Sequence, residues 1–237
     1  MKYLAIIVLL LSACASAPKS DGTPEQDYAQ AKRYIEMRDY TLALETLEKF
    51  STKHPYSQFS VQAELLRAYA AYEHEEYALA ETLCVDFINR HPRHPDVAYA
   101  HYLIGLIHYE QIAAAKKDQG ETHAAIDAFN VLIGKFPDSE YARDATERMP
   151  RLYNLLAEHE LTIGKFYYKQ DRFVAAANRF QVIVSEYQAS PFIAEALFYL
   201  AASYEALNMD GNALETASLL HHNYPQSKWS EKAEQFQ

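Results

Sequence analysis

Glycine, proline and cysteine are scarce in this 237-residue chain, which has 6 glycines, 9 prolines and 2 cysteines. So few glycines and prolines argue against an intrinsically disordered chain. The sequence contains no glycine-rich phosphate loop, no G-x-S-x-G nucleophile motif and no closely spaced pair of cysteines. These absences predict a protein that is not an enzyme and that needs no cofactor.

Positive charge is sparse as well. The formal net charge is −10 and there is no long run of lysine and arginine. Nucleic-acid binding depends on clustered positive charge, so no nucleic-acid partner is expected. Ten histidines are present, but His91 and His94 lie in a proline-rich turn, and His101 and His108 have no third ligand at a clear spacing. We therefore predict no metal site.

The amino-terminal segment has the features of a processed export signal. A short apolar stretch, Leu4–Leu11, follows Lys2 and is too short to span a bilayer. Residues 11–14, Leu-Ser-Ala-Cys, match the bacterial lipobox, which implies a signal peptide at 1–13 and cleavage and acylation at Cys14. The alternative is an ordinary secretory signal with an incidental cysteine.

If Cys14 is acylated, residues 14–24 are the lipidated cysteine and a polar tether. The residue after Cys14 is Ala15, whereas an aspartate at that position retains lipoproteins in the inner membrane. The sorting rule of lipoproteins then predicts a lipid anchor in the outer membrane, with the protein facing the periplasm. Cys84 is left without a disulfide partner and is predicted to be a buried, inert thiol.

One spacing recurs five times along the chain. The alanine–proline pairs, twelve positions apart, are Ala43–Pro55, Ala80–Pro92, Ala125–Pro137 and Ala213–Pro225, and Ala176 is followed by Gln188 at the same distance. Proline cannot continue a helix, and alanine lets two helices approach closely. Each copy therefore predicts the second helix of a helical hairpin.

The pattern resembles the tetratricopeptide repeat. The small residues that match its first-helix position are Ala31, Ala68, Gly105, Gly164 and Ala201. The prediction is an all-α fold, an α-solenoid of about five tetratricopeptide-like helix pairs. Repeats 1–3 are assigned to residues 25–137, and a connecting helix, repeats 4–5 and a C-terminal cap to residues 138–237. Pro150 is expected to kink or break the connecting helix, and the first helix of repeat 3 is expected to be unusually long, over residues 98–117.

The chain is rich in tyrosine, with 19 residues. In tetratricopeptide arrays the first helix of each repeat lines a concave groove, and the resemblance assigns several tyrosines to it: Tyr28, Tyr69, Tyr72, Tyr99, Tyr102 and Tyr109. Tyrosine combines apolar area with a hydroxyl that can bond an extended backbone, which suits a peptide that ends in aromatic residues. The alternative is that these tyrosines pack against neighbouring helices, and both interpretations stay open.

The chain resembles the BamD family of outer-membrane assembly lipoproteins in its lipobox, its tether, its five repeats and its total length. The most specific stretches are residues 157–188, 195–213 and 222–229. The resemblance implies a non-enzymatic subunit of the β-barrel assembly machine that binds the periplasmic domains of a BamA-like barrel subunit through its C-terminal half. It further implies that the N-terminal half recognises C-terminal signals of unfolded outer-membrane proteins, and it leaves contacts with other assembly lipoproteins open.

The same resemblance assigns partner-binding residues. Arg179 matches the family's arginine at the contact with the barrel subunit, and Asn178 precedes it. The hypothesis is a charge-assisted bond from Arg179 to a carboxylate of that partner; the alternative is a local ion pair with Glu186 or Asp171. His54, at a position where some relatives have an aromatic residue before the proline, is assigned to the substrate groove with the tyrosines.

A second function is kept beside the first, a periplasmic repeat adaptor for cell division or envelope integrity, similar to the Tol-associated proteins. Those proteins typically have an N-terminal coiled coil and a cleaved signal without lipid. Residues 15–24 contain no heptads, which favours the assembly lipoprotein.

Overall fold

The computed structural model describes residues 22–113 and 118–236 of the chain. Over these two ranges the fold is all-α, with eleven α-helices, a final 3₁₀ turn at Glu234–Phe236 and no strand. The helices are α1 (Pro24–Glu36), α2 (Tyr40–Lys53), α3 (Ser60–Glu73), α4 (Tyr77–Arg90), α5 (Val97–Gln111), α6 (Gly120–Lys135), α7 (Glu140–Tyr168), α8 (Phe173–Glu186), α9 (Ile193–Ala206), α10 (Asp210–Asn223) and α11 (Lys228–Ala233). The predicted all-α class with tetratricopeptide-like helix pairs is confirmed.

The chain divides into two compact units, the first ending at Ala70 and the second beginning at Ala71, within α3. In the first unit α1 packs on α2 around a small core that includes Leu47 and Phe50. In the second unit each helix from α4 to α10 packs on the next, and α7 also contacts α5 and α9. Such nearest-neighbour packing is typical of stacked repeats. The predicted boundary between residues 137 and 138 stays a prediction.

Turns of one geometry join the two helices of four pairs. The middle residue has a positive φ in each turn: Arg38 (58°), Glu75 (61°), Asp171 (59°) and Asn208 (57°). The next amide donates to a carbonyl five residues back, as from Asp39 N to Tyr34 O at 2.8 Å, which is the bond of a Schellman cap. Because a Cβ makes the left-handed region unfavourable, each turn carries a small local strain.

This strain predicts an unusual response to glycine. Arg38→Gly is expected to raise the free energy of unfolding by about 0.5–1 kcal/mol, since glycine adopts a positive φ without steric cost. Met37 has a φ of −80°, so Met37→Gly is expected to lower stability instead. Urea unfolding of both variants provides the measurement, and a loss of stability in Arg38→Gly would show that the turn is not strained.

The small residues of the repeat pattern lie where paired helices cross. In the second unit, a Cβ added at Gly105 would be 2.3 Å from the ring of Phe129, and one at Gly164 would be 2.5 Å from the ring of Phe180. Both rings are fully buried. The two glycines therefore allow α5 to approach α6, and α7 to approach α8, closely enough for the rings to pack against backbone.

Two features of these helices differ from expectation. Helix α7 runs from Glu140 to Tyr168 with Pro150 inside it, so the helix does not break there, and a kink at Pro150 stays a prediction. Pro150 has no N–H, so the carbonyl of Thr146 loses its hydrogen-bond partner in the helix. Both residues are exposed, and water can bond that carbonyl instead. Helix α5 ends at Gln111 and is followed by a turn at residues 112–113, so it is not unusually long. Residues 114–117 of the predicted helix lie outside the described residues.

Candidate functional site

Helices α5 and α7 bring several tyrosines together in the second unit. The ring centroid of Tyr141, on α7, lies 5.3 Å from that of Tyr99 and 5.4 Å from that of Tyr102, both on α5. All three side chains are half-buried, so each packs on its neighbours and still reaches the surface. Together with two further tyrosines they are called the tyrosine surface here: Tyr72, Tyr99, Tyr102, Tyr109 and Tyr141.

A carboxylate and a guanidinium of α7 are bonded to this surface. The Tyr102 hydroxyl and the Arg148 Nε both donate to Asp144. The bond from Arg148, helped by that from Tyr102, holds the pKa of Asp144 below its usual value. Burial, together with the bond to Asp144, raises the pKa of Tyr102 to about 12. At neutral pH the phenol is therefore a fixed hydrogen-bond donor and the carboxylate a fixed anion.

This network predicts a pH dependence of stability. The pKa of Asp144 is lower in the folded than in the unfolded protein. The ionised carboxylate therefore stabilises the fold fully at pH values above the unfolded-state pKa, and this stabilisation is lost as the pH falls through the folded-state pKa. Asp144→Asn is expected to lower the free energy of unfolding at pH 7 by up to about 1 kcal/mol, a small effect because the carboxylate is 43% exposed. Urea unfolding at neutral pH and at about pH 3 provides the measurement. A deficit of equal size at both pH values would contradict the assignment.

Two arginines of α7 lie over the ring of Tyr109. The guanidinium carbon of Arg148 is 5.1 Å, and that of Arg151 5.4 Å, from the ring centroid, which is within the range of cation–π contacts. The ring itself packs toward Phe129, with centroids 6.5 Å apart. The repeat resemblance missed both arginines because it assigned groove positions on the first helices only. The Asp144–Arg148 spacing of four residues was the available signal.

Tyr72, at the end of α3, belongs to the same neighbourhood. Its ring lies 6.2 Å from that of Tyr77 on α4. Burial first, and then the carboxylates of Glu110 and Glu73, raise the pKa of Tyr72 to about 12, and Tyr102 is close enough to contribute. The exposed Glu110, which directly follows Tyr109 on α5, therefore places a negative charge near the Tyr72 hydroxyl.

The groove residues assigned to the first unit are packed differently. Tyr28 stacks on Phe59, with ring centroids 5.1 Å apart, and meets the buried Phe50 at 6.2 Å. His54 Nε2 lies 2.9 Å from the Asp27 carboxylate, which also accepts from Lys53. These contacts favour the packing interpretation for Tyr28 and His54, and their role in a groove stays a prediction. Tyr69 is half-buried on α3.

Arg179, on α8, is held by a carboxylate that the sequence did not indicate. Its Nη1 donates to both oxygens of Glu160 on α7, at 3.1 and 3.3 Å. The local pair is therefore made with Glu160, and not with Glu186 or Asp171. Glu160 is 17% and Arg179 42% exposed, so the arginine side chain remains partly at the surface. An exposed guanidinium edge can take a second carboxylate side-on.

Asn178 is exposed and lines a shallow, open cavity of about 420 Å³ at the beginning of α8. The other lining residues are Asp171–Ala175 and Leu207. Val174 in this wall is 60% exposed. Asn178, the residue before Arg179, thus lines an open depression whose wall contains the exposed Val174 and the charged Asp171 and Arg172. Protein-binding surfaces often combine apolar and polar groups in this way.

Metal and thiol chemistry find little support in the described residues. No group of three or more histidine, cysteine, aspartate or glutamate side chains there could hold a metal ion. Cys84 is buried, and burial raises the pKa of its thiol to about 12, as expected for an inert thiol. Within the same ranges no helix has the length and apolar character needed to cross a bilayer. The predicted signal peptide and Cys14 lie outside the described residues.

Comparison with known proteins gives consistent matches over nearly the whole chain. The family model YfiO, described as "Outer membrane lipoprotein", matches residues 20–219. A protein of Rickettsia prowazekii named "Outer membrane protein assembly factor BamD" is 34% identical over 232 residues, covering 97% of this chain and 92% of that protein. A protein of the same name from Neisseria meningitidis serogroup A is 33% identical over 248 residues, covering 96% and 93%. Among solved structures, the TPR2AB-domain:pHSP90 complex of yeast Sti1 has a TM-score of 0.46 and 16% identity, covering 89% of this chain and 81% of that one.

Proposed function

Because the chain belongs to the YfiO family of outer membrane lipoproteins, we propose that it is an outer-membrane protein assembly factor of the BamD type, without enzymatic activity of its own. The observation that carries this proposal is the match to relatives of that name over at least nine-tenths of both chains. An all-α fold of stacked helix pairs offers extended surfaces for protein partners, and such surfaces suit a scaffold.

The proposed location is the periplasmic face of the outer membrane. The lipobox supports cleavage before Cys14 and acylation of that residue, and the tether at 14–24 supports a folded part held away from the lipid. Several acyl chains give a stable anchor where a single chain does not.

The second unit is the proposed binding surface for a BamA-like barrel subunit. The Arg179 side chain is partly exposed, and its neighbour Asn178 lines the open cavity at the start of α8. Glu160 holds the guanidinium through Nη1, which fixes its orientation before a partner binds. A partner carboxylate that meets Nη2 and Nε would then form a charge-assisted bond at little entropic cost. Other assembly lipoproteins are further candidate partners.

The tyrosine surface is the proposed contact for unfolded outer-membrane proteins. Its half-buried rings offer aromatic area to the side chains of an extended peptide. The fixed hydroxyl of Tyr102 and the charges at Asp144 and Arg148 border this area. An unfolded β-barrel protein that ends in aromatic residues fits this surface, because its aromatic side chains suit the tyrosine rings and its polar groups suit the hydroxyl and the charges.

Depletion of the protein in its own bacterium tests the proposed function. The amount of folded, heat-modifiable outer-membrane β-barrel protein is expected to fall, and expression of the wild-type chain is expected to restore it. Cys14→Ala is expected to restore it poorly because the anchor is lost. Unchanged levels of folded barrel proteins after full depletion would refute the function.

The substrate contact can be tested separately by fluorescence anisotropy with a labelled peptide ending in phenylalanine. Tyr99→Ala is expected to weaken binding about tenfold, because it removes one large aromatic contact. Tyr56 is 100% exposed in the first unit and supplies the control, since Tyr56→Ala is expected to leave the affinity unchanged. Equal affinities of wild type and Tyr99→Ala would exclude Tyr99 from the contact.

A further inference from the structure

Two guanidinium groups lie at Tyr109 in the tyrosine surface. Arg148 and Arg151 both lie over Tyr109, and they are three residues apart on α7, so their side chains are neighbours. Asp144 neutralises Arg148. In the part of the chain that the structure describes, no carboxylate lies within ion-pair distance of Arg151, which is exposed. Arg151 thus has no ion-pair partner of its own among these residues, in a protein whose net charge is −10.

We propose that Arg151, with Arg148 beside it, binds the terminal carboxylate of a peptide chain whose last aromatic side chain packs on the tyrosine surface. This inference rests on the proposed contact with unfolded outer-membrane proteins and adds the chemical group that decides which end of the peptide is bound. A guanidinium presents paired N–H donors that match the two oxygens of a carboxylate. The cation–π contacts with the Tyr109 ring limit the rotamers of both arginine side chains, which reduces the entropy that these side chains lose on binding.

The position of the two arginines favours one orientation of the bound peptide. Arg148 and Arg151 both lie over the Tyr109 ring, and their charge attracts a terminal carboxylate. The carboxyl end of the peptide would then lie at Tyr109, and the residues before it would contact Tyr102, Tyr141 and Tyr99.

The experiment compares two forms of one labelled peptide ending in phenylalanine, a free carboxylic acid and a C-terminal amide, by anisotropy with the mature full-length protein in detergent. Wild type is expected to bind the acid about tenfold more tightly than the amide. The preference is expected to shrink when the salt concentration is raised, because the site is exposed. In Arg151→Gln the two forms are expected to bind with nearly equal affinity.

Arg143 provides the matched control, since it is an exposed arginine on the same helix without a contact to Tyr109. Arg143→Gln is expected to retain the full acid preference. Equal binding of acid and amide by wild type would overturn the inference, as would an acid preference that persists in Arg151→Gln. An amidated peptide with an internal glutamate that binds as tightly as the acid would also overturn it, because a side-chain carboxylate would then suffice.

These outcomes separate the inference from the proposed function on which it rests. If acid and amide bind equally but Tyr99→Ala weakens both, the tyrosine surface binds peptides and the carboxylate assignment is wrong. If neither form binds wild type, the proposed substrate contact itself is wrong and the carboxylate assignment falls with it.

Discussion

Replacing Gly105 with alanine is expected to lower the free energy of unfolding by about 1–3 kcal/mol, because the added methyl group would overpack a full core. The new Cβ would lie 2.3 and 2.4 Å from two ring atoms of Phe129. That ring is fully buried, so it has no free space into which to move. Gly164→Ala is expected to behave similarly, since its Cβ would lie 2.5 Å from the ring of Phe180.

Gly134 provides the control for both variants. It lies near the end of α6, and a Cβ there would meet nothing within 4 Å. Gly134→Ala is therefore expected to raise stability by about 0.5–1 kcal/mol, the usual gain from replacing a helical glycine. Urea unfolding of the three variants gives the values. If Gly105→Ala were as stable as Gly134→Ala, the close helix crossing in repeat 3 would be refuted.

Reversing the charge at Arg179 is expected to reduce co-purification of the barrel subunit strongly. Arg179→Glu would face Glu160 within the chain and the proposed carboxylate of the partner, so an attraction becomes a repulsion on both sides. We expect an affinity loss of roughly 30-fold or more, which corresponds to about 2 kcal/mol. Quantitative pull-down from detergent-solubilised envelopes provides the measurement.

Two further variants make this result specific. Arg179→Lys keeps the charge but loses the paired donors, and an intermediate loss is expected. Arg143→Glu changes the net charge by the same amount at an exposed position on α7, and wild-type binding is expected. Undiminished recovery of the barrel subunit with Arg179→Glu would exclude Arg179 from the interface.

The helix pairs could be predicted because their signals are local. An alanine, a large apolar residue and a proline at fixed distances mark the second helix of each pair, and four of the five copies keep all three. The glycines at positions 105 and 164 followed from the repeat resemblance, and the structure places both against phenylalanine rings. The strained turns were missed because Arg38, Glu75, Asp171 and Asn208 have no side-chain chemistry in common and share only a backbone conformation.

The contacts of the candidate surfaces were harder to predict because they join different helices. Glu160 pairs with Arg179 across nineteen residues, whereas the sequence suggested the nearer Asp171 and Glu186. Tyr141, Asp144 and Arg148 come from α7, which the sequence analysis treated as a connecting helix with a kink or break at Pro150. A proline whose freed carbonyl reaches water can stay within a helix, and only the tertiary structure reveals that exposure.

The most direct test of the proposed function is affinity purification of the lipidated protein from detergent-solubilised envelopes, with mass spectrometry of what accompanies it. We expect a β-barrel outer-membrane protein with periplasmic domains, in a stoichiometric amount that falls in Arg179→Glu. Recovery of Tol or cell-division proteins without such a barrel would contradict the assembly function and favour the adaptor.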